Sequence, residues 1–438
     1  MARLPGLVVE KLEIFQETEA QHPVPVPHSP VDRFHQALTT GDLRYLRTLA
    51  EKYYQDVGVV FEITRNELEW QAGEPTAFGS AGLWSLEYKR ELTNPLCITA
   101  KCGYLDCLLY LLQRRADPNA APGGKSPLHE ASLEGHVDCV ELLLEYRANP
   151  NLLSDDGFAP LHLCNTEHTY RCAKLLIKYG AQVNQPSEET EETPLHIAAK
   201  HGLHEHVLLY LRYGASVDSL NSKEETPLSV ACGESKQLEH QEKYLQVCRL
   251  LLAHGANVNT QDEEKKSPLH RACKNASHGL VQWLLESQAD VNAIDYNGVS
   301  PMACVLQTAA FKQDLMPHLN IQALLNHGSH RIWPGSFFKV LRSCAAVPKI
   351  IEILINSYEF ITIPEKWMEA VPEDIFQMHL SFYESLFSLS CTTRCLQHLC
   401  RCAIRKQFAS RCDHLIPLLP IPTSLQKYVL LEPEGVLY

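Results

Sequence analysis

A proline that follows a polar or small residue and precedes Leu or Met recurs at Pro95, Pro127, Pro160, Pro194, Pro227, Pro268 and Pro301. The steps between them are 32, 33, 34, 33, 41 and 33 residues. A period of this length confines the chain to a stack of small units, because one such unit cannot bury its apolar face alone. The local chemistry of each copy predicts a pair of helices. Ser or Thr suits a helix N-cap and Pro the first helical position, where no N–H is needed. Gly103, Gly135 and Gly202 fall where a first helix would end. A second apolar helix follows, such as Val137 to Leu144, and the chain turns again near Gly180, Gly214, Gly255 or Gly328. Polar turns such as Asp155-Asp156-Gly157 and Asn297-Gly298 have hairpin-tip chemistry. The long step places Glu234 to Gln246 between the two helices of one repeat, as a bulging loop or a lengthened helix.

Three copies, Ser-Pro-Leu-His-Glu-Ala from Ser126, Thr-Pro-Leu-His-Ile-Ala from Thr193 and Ser-Pro-Leu-His-Arg-Ala from Ser267, resemble the ankyrin signature. The resemblance covers roughly residues 31–330 and implies an all-α ankyrin solenoid. The unit beginning at Val31 reads as its N-terminal cap, with two amphipathic segments joined at Gly41. Residues of about 65–92, with Trp70, Phe78, Trp84 and Tyr88 among glycines, read as an insertion packed on the side of the array. Residues 1–30 are proline-rich and lack a periodic apolar face, which predicts a disordered tail. Residues 331–388 read as a degenerate helical pair followed by aromatic connecting helices.

His129, His162, His196 and His270 occupy the same place in successive repeats. Stacked copies do not converge on a point, so each is expected to bond back to its own turn. The acidic turns Glu188 to Glu192, Glu224-Glu225 and Asp262 to Glu264 are expected to line one side of the stack as solvated tips. The formal net charge of −13 argues against duplex nucleic acid and against acidic lipid as partners. No run is apolar enough for long enough to span a bilayer. Sixteen cysteines without a visible secretory signal read as reduced thiols, hence a cytoplasmic or nuclear setting. Cys391, Cys395, Cys400, Cys402 and Cys412 with His398 lack the Cys-x-x-Cys pair usual in structural zinc sites, so no metal is expected. No phosphate loop, serine elbow or carboxylate motif stands out, so neither a cofactor nor catalysis is expected.

The stretch Cys395 to Pro422 has two parts. In the first, Leu396, Leu399, Cys400, Ala403, Ile404 and Phe408 share one face of an amphipathic helix, with Arg401, Arg405 and Lys406 mostly off it. In the second, Leu419-Pro420-Ile421-Pro422 is fixed as an extended segment by its prolines. Together, and at 389–438 behind ankyrin-like repeats, these resemble a SOCS box. Leu396-x-x-x-Cys400-x-x-x-Ile404 is similar to its BC box, which binds elongin C, and Leu419-Pro420-Ile421-Pro422 is similar to its cullin box, associated with cullin-5. Cys395 stands where the family usually has another small residue or proline. The whole chain resembles the ankyrin repeat and SOCS box proteins.

That resemblance implies a non-catalytic substrate receptor of a cullin-RING ubiquitin ligase, with elongin B/C, cullin-5 and a RING-box protein as partners and a protein substrate on the array. Leu396, Leu399, Cys400, Ala403 and Ile404 would meet elongin C. Leu419, Pro420, Ile421 and Pro422 would meet the cullin. The other reading is a passive ankyrin scaffold whose tail face packs on its own last helices. Leu284 with Asp290-Val291-Asn292 also resembles the pattern hydroxylated on ankyrin hairpins, at Asn292.

Overall fold

The structure, a computed structural model, describes residues 9–14, 30–53, 59–76, 79–389, 394–435 and 437. Side chains are described throughout except at 9–14, 64–76, 79–89 and 238. The chain divides into two compact units, residues 1–194 with 212–215, and residues 195–211 with 216–438.

The first unit opens with the helix pair Pro30–Thr40 and Leu43–Lys52, joined at Gly41, whose φ of 73° is left-handed. Asp42 caps the second helix by accepting a hydrogen bond from Tyr45 N at 3.0 Å. The region of the expected insertion is a hairpin of strands β2 (Val60–Thr76) and β3 (Gly79–Thr93). Trp84, Leu86 and Tyr88 follow a spacing of two, which is strand periodicity. Strand β1 (Val9–Ile14) pairs in parallel with β2, from Val9 opposite Val60 to Ile14 opposite Arg65. The expectation of disorder across residues 1–30 is therefore corrected at 9–14. Its apolar Val9, Leu12 and Ile14 are enough to extend a sheet whose edge is available. The rest of that proline-rich stretch up to residue 29, and Phe78 in the insertion, lie outside the described residues. Phe61 is fully buried and fixes the base of β2 to the first helix, its ring 6.1 Å from that of Phe34. At Gly123 an added Cβ would fall 1.9 Å from the Leu92 carbonyl oxygen, so only glycine admits the end of the hairpin there.

Each repeat is built as the local chemistry requires. In the helices Pro127–Glu134 and Pro268–Lys274 the N-cap serine hydroxyl and the histidine three residues on close a capping box. His129 Nδ1 accepts from Ser126 N at 3.2 Å, and its Nε2 lies 2.9 Å from Phe158 O in the next repeat. His270 repeats this with Ser267 N at 3.1 Å and Val299 O at 3.1 Å. His162 bonds Ala159 N, Gln185 O and Glu192 O, and His196 Nε2 lies 3.0 Å from Glu225 O. Because Nδ1 of His129, His162 and His270 accepts a backbone N–H, Nε2 of these three carries the proton and donates. His129, His162 and His270 thus fix their own turn, as expected, and all four histidines tie their repeat to the following hairpin. Burial holds the imidazoles of His129, His162 and His270 below the usual histidine range, His129 at about 4.

Asparagines make a second inter-repeat ladder. Asn119 Oδ1 accepts from Asn149 N and Asn151 Oδ1 from Gln182 N in the first unit, each at 2.7 Å. In the second, Asn259 Oδ1 accepts from Asp290 N at 2.7 Å. The chain reverses after the second helices in left-handed residues, Gly180, Gly214, Gly255 and Gly328, as the glycine spacing predicts. Arg115, Arg147 and Gln288 hold the same conformation without glycine, at φ 69°, 65° and 66°.

In the second unit the long repeat step is shared between the helix Gln241–Ala253, lengthened to 13 residues, and a longer connection before it that holds the short turn Leu238–His240. The acidic turns here are partly neutralised from within. Arg271 binds both Glu225 and Asp262, the latter at 2.6 Å, and Lys266 pairs with Glu264. The helices Phe337–Cys344 and Pro348–Asn356 follow. The aromatic residues beyond them cover the pair: Trp367 stacks on Phe337 at 5.0 Å, and buried Tyr383 donates to Ala345 O at 2.6 Å.

Candidate functional site

The C-terminal tail lies within the second unit. Its main helix spans Leu396–Phe408, with Arg405 and Lys406 in the last turn where the helix dipole favours cations. Cys395 is the N-cap and makes no capping hydrogen bond. Short helical turns run through Cys412–Leu415 and Ile416–Leu418, and a last helix covers Thr423–Val429. Cys412, Ile416 and Val429 form a small core of the tail itself, against which Ile404 and Phe408 pack.

The tail helix buries the opposite face from the one its leucines would suggest. His398, Arg401, Cys402 and Arg405 are buried. Leu396 is 77% exposed, and Cys400 and Ala403 are exposed. Leu399 and Ile404 are half-buried. Leu396, Cys400 and Ala403, spaced by four and three, therefore form an uncovered apolar ridge.

Polar chemistry holds the buried face. Arg405 Nη1 donates to Asn326 Oδ1 at 2.6 Å and to Val429 O at 2.9 Å, while Nη2 donates to Leu325 O at 3.2 Å. Leu325 and Asn326 end the helix Pro317–Asn326, whose last carbonyls lack intrahelical partners. Burial lowers the Arg405 guanidinium to about 10, with the charge of nearby Arg401 acting in the same direction. Arg401 lies over the Tyr428 ring at 4.2 Å and donates to His398 Nδ1 at 2.8 Å. His398 Nε2 in turn lies 2.8 Å from Tyr358 O, and burial lowers this imidazole to about 4. Gln322 and Asn326 both donate to Leu430 O, at 3.0 and 3.1 Å. Buried Glu352 accepts from the backbone N–H groups of Glu434 and Gly435.

Leu419-Pro420-Ile421-Pro422 is extended at both ends, with ψ of 139° at Leu419 and 145° at Pro422. Gln426 pins it from the last helix by donating to Leu419 O at 3.0 Å. Leu419 and Ile421 are half-buried, Pro420 and Pro422 exposed. Leu418, 77% exposed, continues this apolar surface and escaped the sequence reading, although the Leu418-Leu419 pair signalled it. Asn292 lies apart from the tail ridge. Its Nδ2 donates to Gly328 O at 3.2 Å and its Oδ1 accepts from His330 N at 2.8 Å, so both ends of the amide are engaged by the next repeat. Cys391 lies outside the described residues. Among the described residues no group of three His, Cys, Asp or Glu side chains converges as a metal site, and no helix is long and apolar enough to cross a membrane.

Family models place these features. Ankyrin repeats match in three copies, at 84–154, 161–259 and 195–295, and the SOCS box matches at 392–430. Human "Ankyrin repeat and SOCS box protein 18" is 52% identical over 398 residues, 91% of this chain and 85% of that protein. The chain belongs to the ankyrin repeat and SOCS box family. Another member, mouse "Ankyrin repeat and SOCS box protein 16", is 38% identical over 404 residues, covering 92% of this chain and 86% of its own. Mouse "Ankyrin repeat and SOCS box protein 10" is 43% identical over 361 residues, covering 81% and 77%. The SOCS box match contains both the tail ridge and the Leu419-Pro420-Ile421-Pro422 segment.

Proposed function

We propose that this chain is the substrate-receptor subunit of an elongin B/C–cullin-5 RING ubiquitin ligase, without catalytic chemistry of its own. The observation that carries the reading is the inverted tail helix. An amphipathic helix that buries its arginines and leaves Leu396, Cys400 and Ala403 in solvent has its greasy side available for a partner's groove. Leu396 is the principal anchor for elongin C, and full burial of such a side chain contributes roughly 1.5–3 kcal/mol. Leu399, Cys400, Ala403 and Ile404 extend the contact. Leu419, Pro420, Ile421 and Pro422 meet the cullin, and the prolines lower the ordering cost of binding. The ankyrin array holds a protein substrate, and the ligase gains rate by proximity: a substrate lysine is held at high effective concentration near the ubiquitin thioester.

The test is co-purification. Leu396→Ala with Cys400→Ala should abolish capture of elongin B/C while the array's cooperative melt is kept. Undiminished capture by the double variant would falsify the assignment.

A further inference from the structure

A groove of about 460 Å³ opens in the second unit between the first helices of two successive repeats, Pro301–Thr308 and Phe337–Cys344. Its floor is apolar and buried, made by Met302, Leu306 and Val340. Ile294, 60% exposed, and Ile332 form the walls. Trp333, next along the chain, is 78% exposed. The charges at the groove are of one sign. Arg331 and Lys339 line it, and among the described residues no carboxylate does. Neither cation is ion-paired among the described residues. Arg331 rests over the Tyr358 ring at 5.8 Å, which leaves its charge uncompensated. In a chain of net charge −13 this is a local reversal of sign.

We infer that this groove is the substrate-docking site and that its occupant is an extended segment of a partner protein carrying a large apolar residue beside Asp or Glu. The inference rests on the receptor reading above and gives that reading a substrate class. An apolar anchor seated on Met302, Leu306 and Val340 displaces water from a concave surface. A neighbouring carboxylate then meets Arg331 or Lys339, and an exposed tryptophan beside an arginine is the composition at which binding energy concentrates. A basic segment is repelled from the same place, so the groove also selects against partners.

The full chain, co-produced with elongin B/C, is offered a phage-displayed random dodecapeptide library, and enriched sequences are re-measured as fluorescein-labelled peptides by anisotropy. Enriched peptides should carry Asp or Glu within a few residues of a large apolar side chain. Lys339→Glu should weaken them by roughly tenfold, the size expected when a favourable charge contact becomes a like-charge one, and salt should weaken wild-type binding. Ala303→Trp, which fills the groove without changing charge, should remove binding. Elongin B/C capture, measured on the same preparations, should be unchanged, which separates this test from that of the ligase reading. Failure of the library to yield any peptide overturns the assignment. So does enrichment without acidic residues, or binding indifferent to both substitutions.

Discussion

Arg405 donates to the carboxamide oxygen of Asn326 at 2.6 Å, joining the last turn of the tail helix to the end of a repeat helix 79 residues earlier. Two backbone carbonyls complete the guanidinium's partners, Leu325 and Val429. One side chain thus links the repeat helix Pro317–Asn326, the tail helix and the final helix of the chain.

Arg405→Lys should loosen the tail while leaving the repeats folded. Lysine carries the charge but lacks the planar fork that reaches three acceptors at once. Losing two charge-assisted bonds at a buried site costs about 2–4 kcal/mol. Limited proteolysis should show faster cutting between the connecting helices and the tail, with the repeat fragment persisting.

Acid should destabilise the repeats before it protonates most carboxylates. His129 is held neutral to about pH 4, whereas in the unfolded chain it takes up a proton near 6.5. Between those values the unfolded state binds more protons, so stability is full above about pH 6.5 and falls as pH drops toward 4. His162 and His270 are shifted in the same direction and add to the slope. The melting temperature should fall through this window, and His129→Asn with His270→Asn should flatten the dependence while lowering stability at pH 7.

The periodicity of the sequence made the stack legible, since Ser-Pro, His and Gly each act within a few residues of themselves. The hairpin of β2 and β3 was harder: its alternation of Trp84, Leu86 and Tyr88 sits inside a longer helical pattern. The two faces of the tail helix were also legible. Which of them turns inward came only from the resemblance to the SOCS box and not from pattern, because it depends on acceptors such as Asn326 and Tyr358 O, far off in sequence. Pattern alone places leucine inside and arginine outside, and here the reverse holds for Leu396 and Arg405.

Gln288→Gly should stabilise the second unit. Gln288 holds φ 66° where other repeats use Gly255 or Gly328. A left-handed residue with a Cβ costs about 1–2 kcal/mol, offset in part by the extra freedom glycine loses on folding. A net gain of up to about 1 kcal/mol should appear as a higher denaturant midpoint, and Gly255→Ala should move it the other way.

Cys395→Ser should strengthen the start of the tail helix. Cysteine makes no capping bond there, and a serine hydroxyl accepts from the first-turn amides. Hydrogen exchange of those amides should slow by the equivalent of about 1 kcal/mol.

Replacing Leu419, Pro420, Ile421 and Pro422 by alanine should separate the two partners. The ridge of Leu396, Cys400 and Ala403 is untouched by this change, so elongin B/C should co-purify as before. Cullin-5 should be lost from the same pull-down, and its retention at wild-type level would refute the division of labour.

The tail carries its own small nucleus of Cys412, Ile416 and Val429, and its bond to the repeats runs through Arg405, His398, Gln322 and Asn326. Such a joint makes the terminal segment portable. Grafted behind a different helical stack, it needs a helix end that offers a carboxamide and a carbonyl at the right height, a second carbonyl in the place of Tyr358 O and a carboxylate in the place of Glu352.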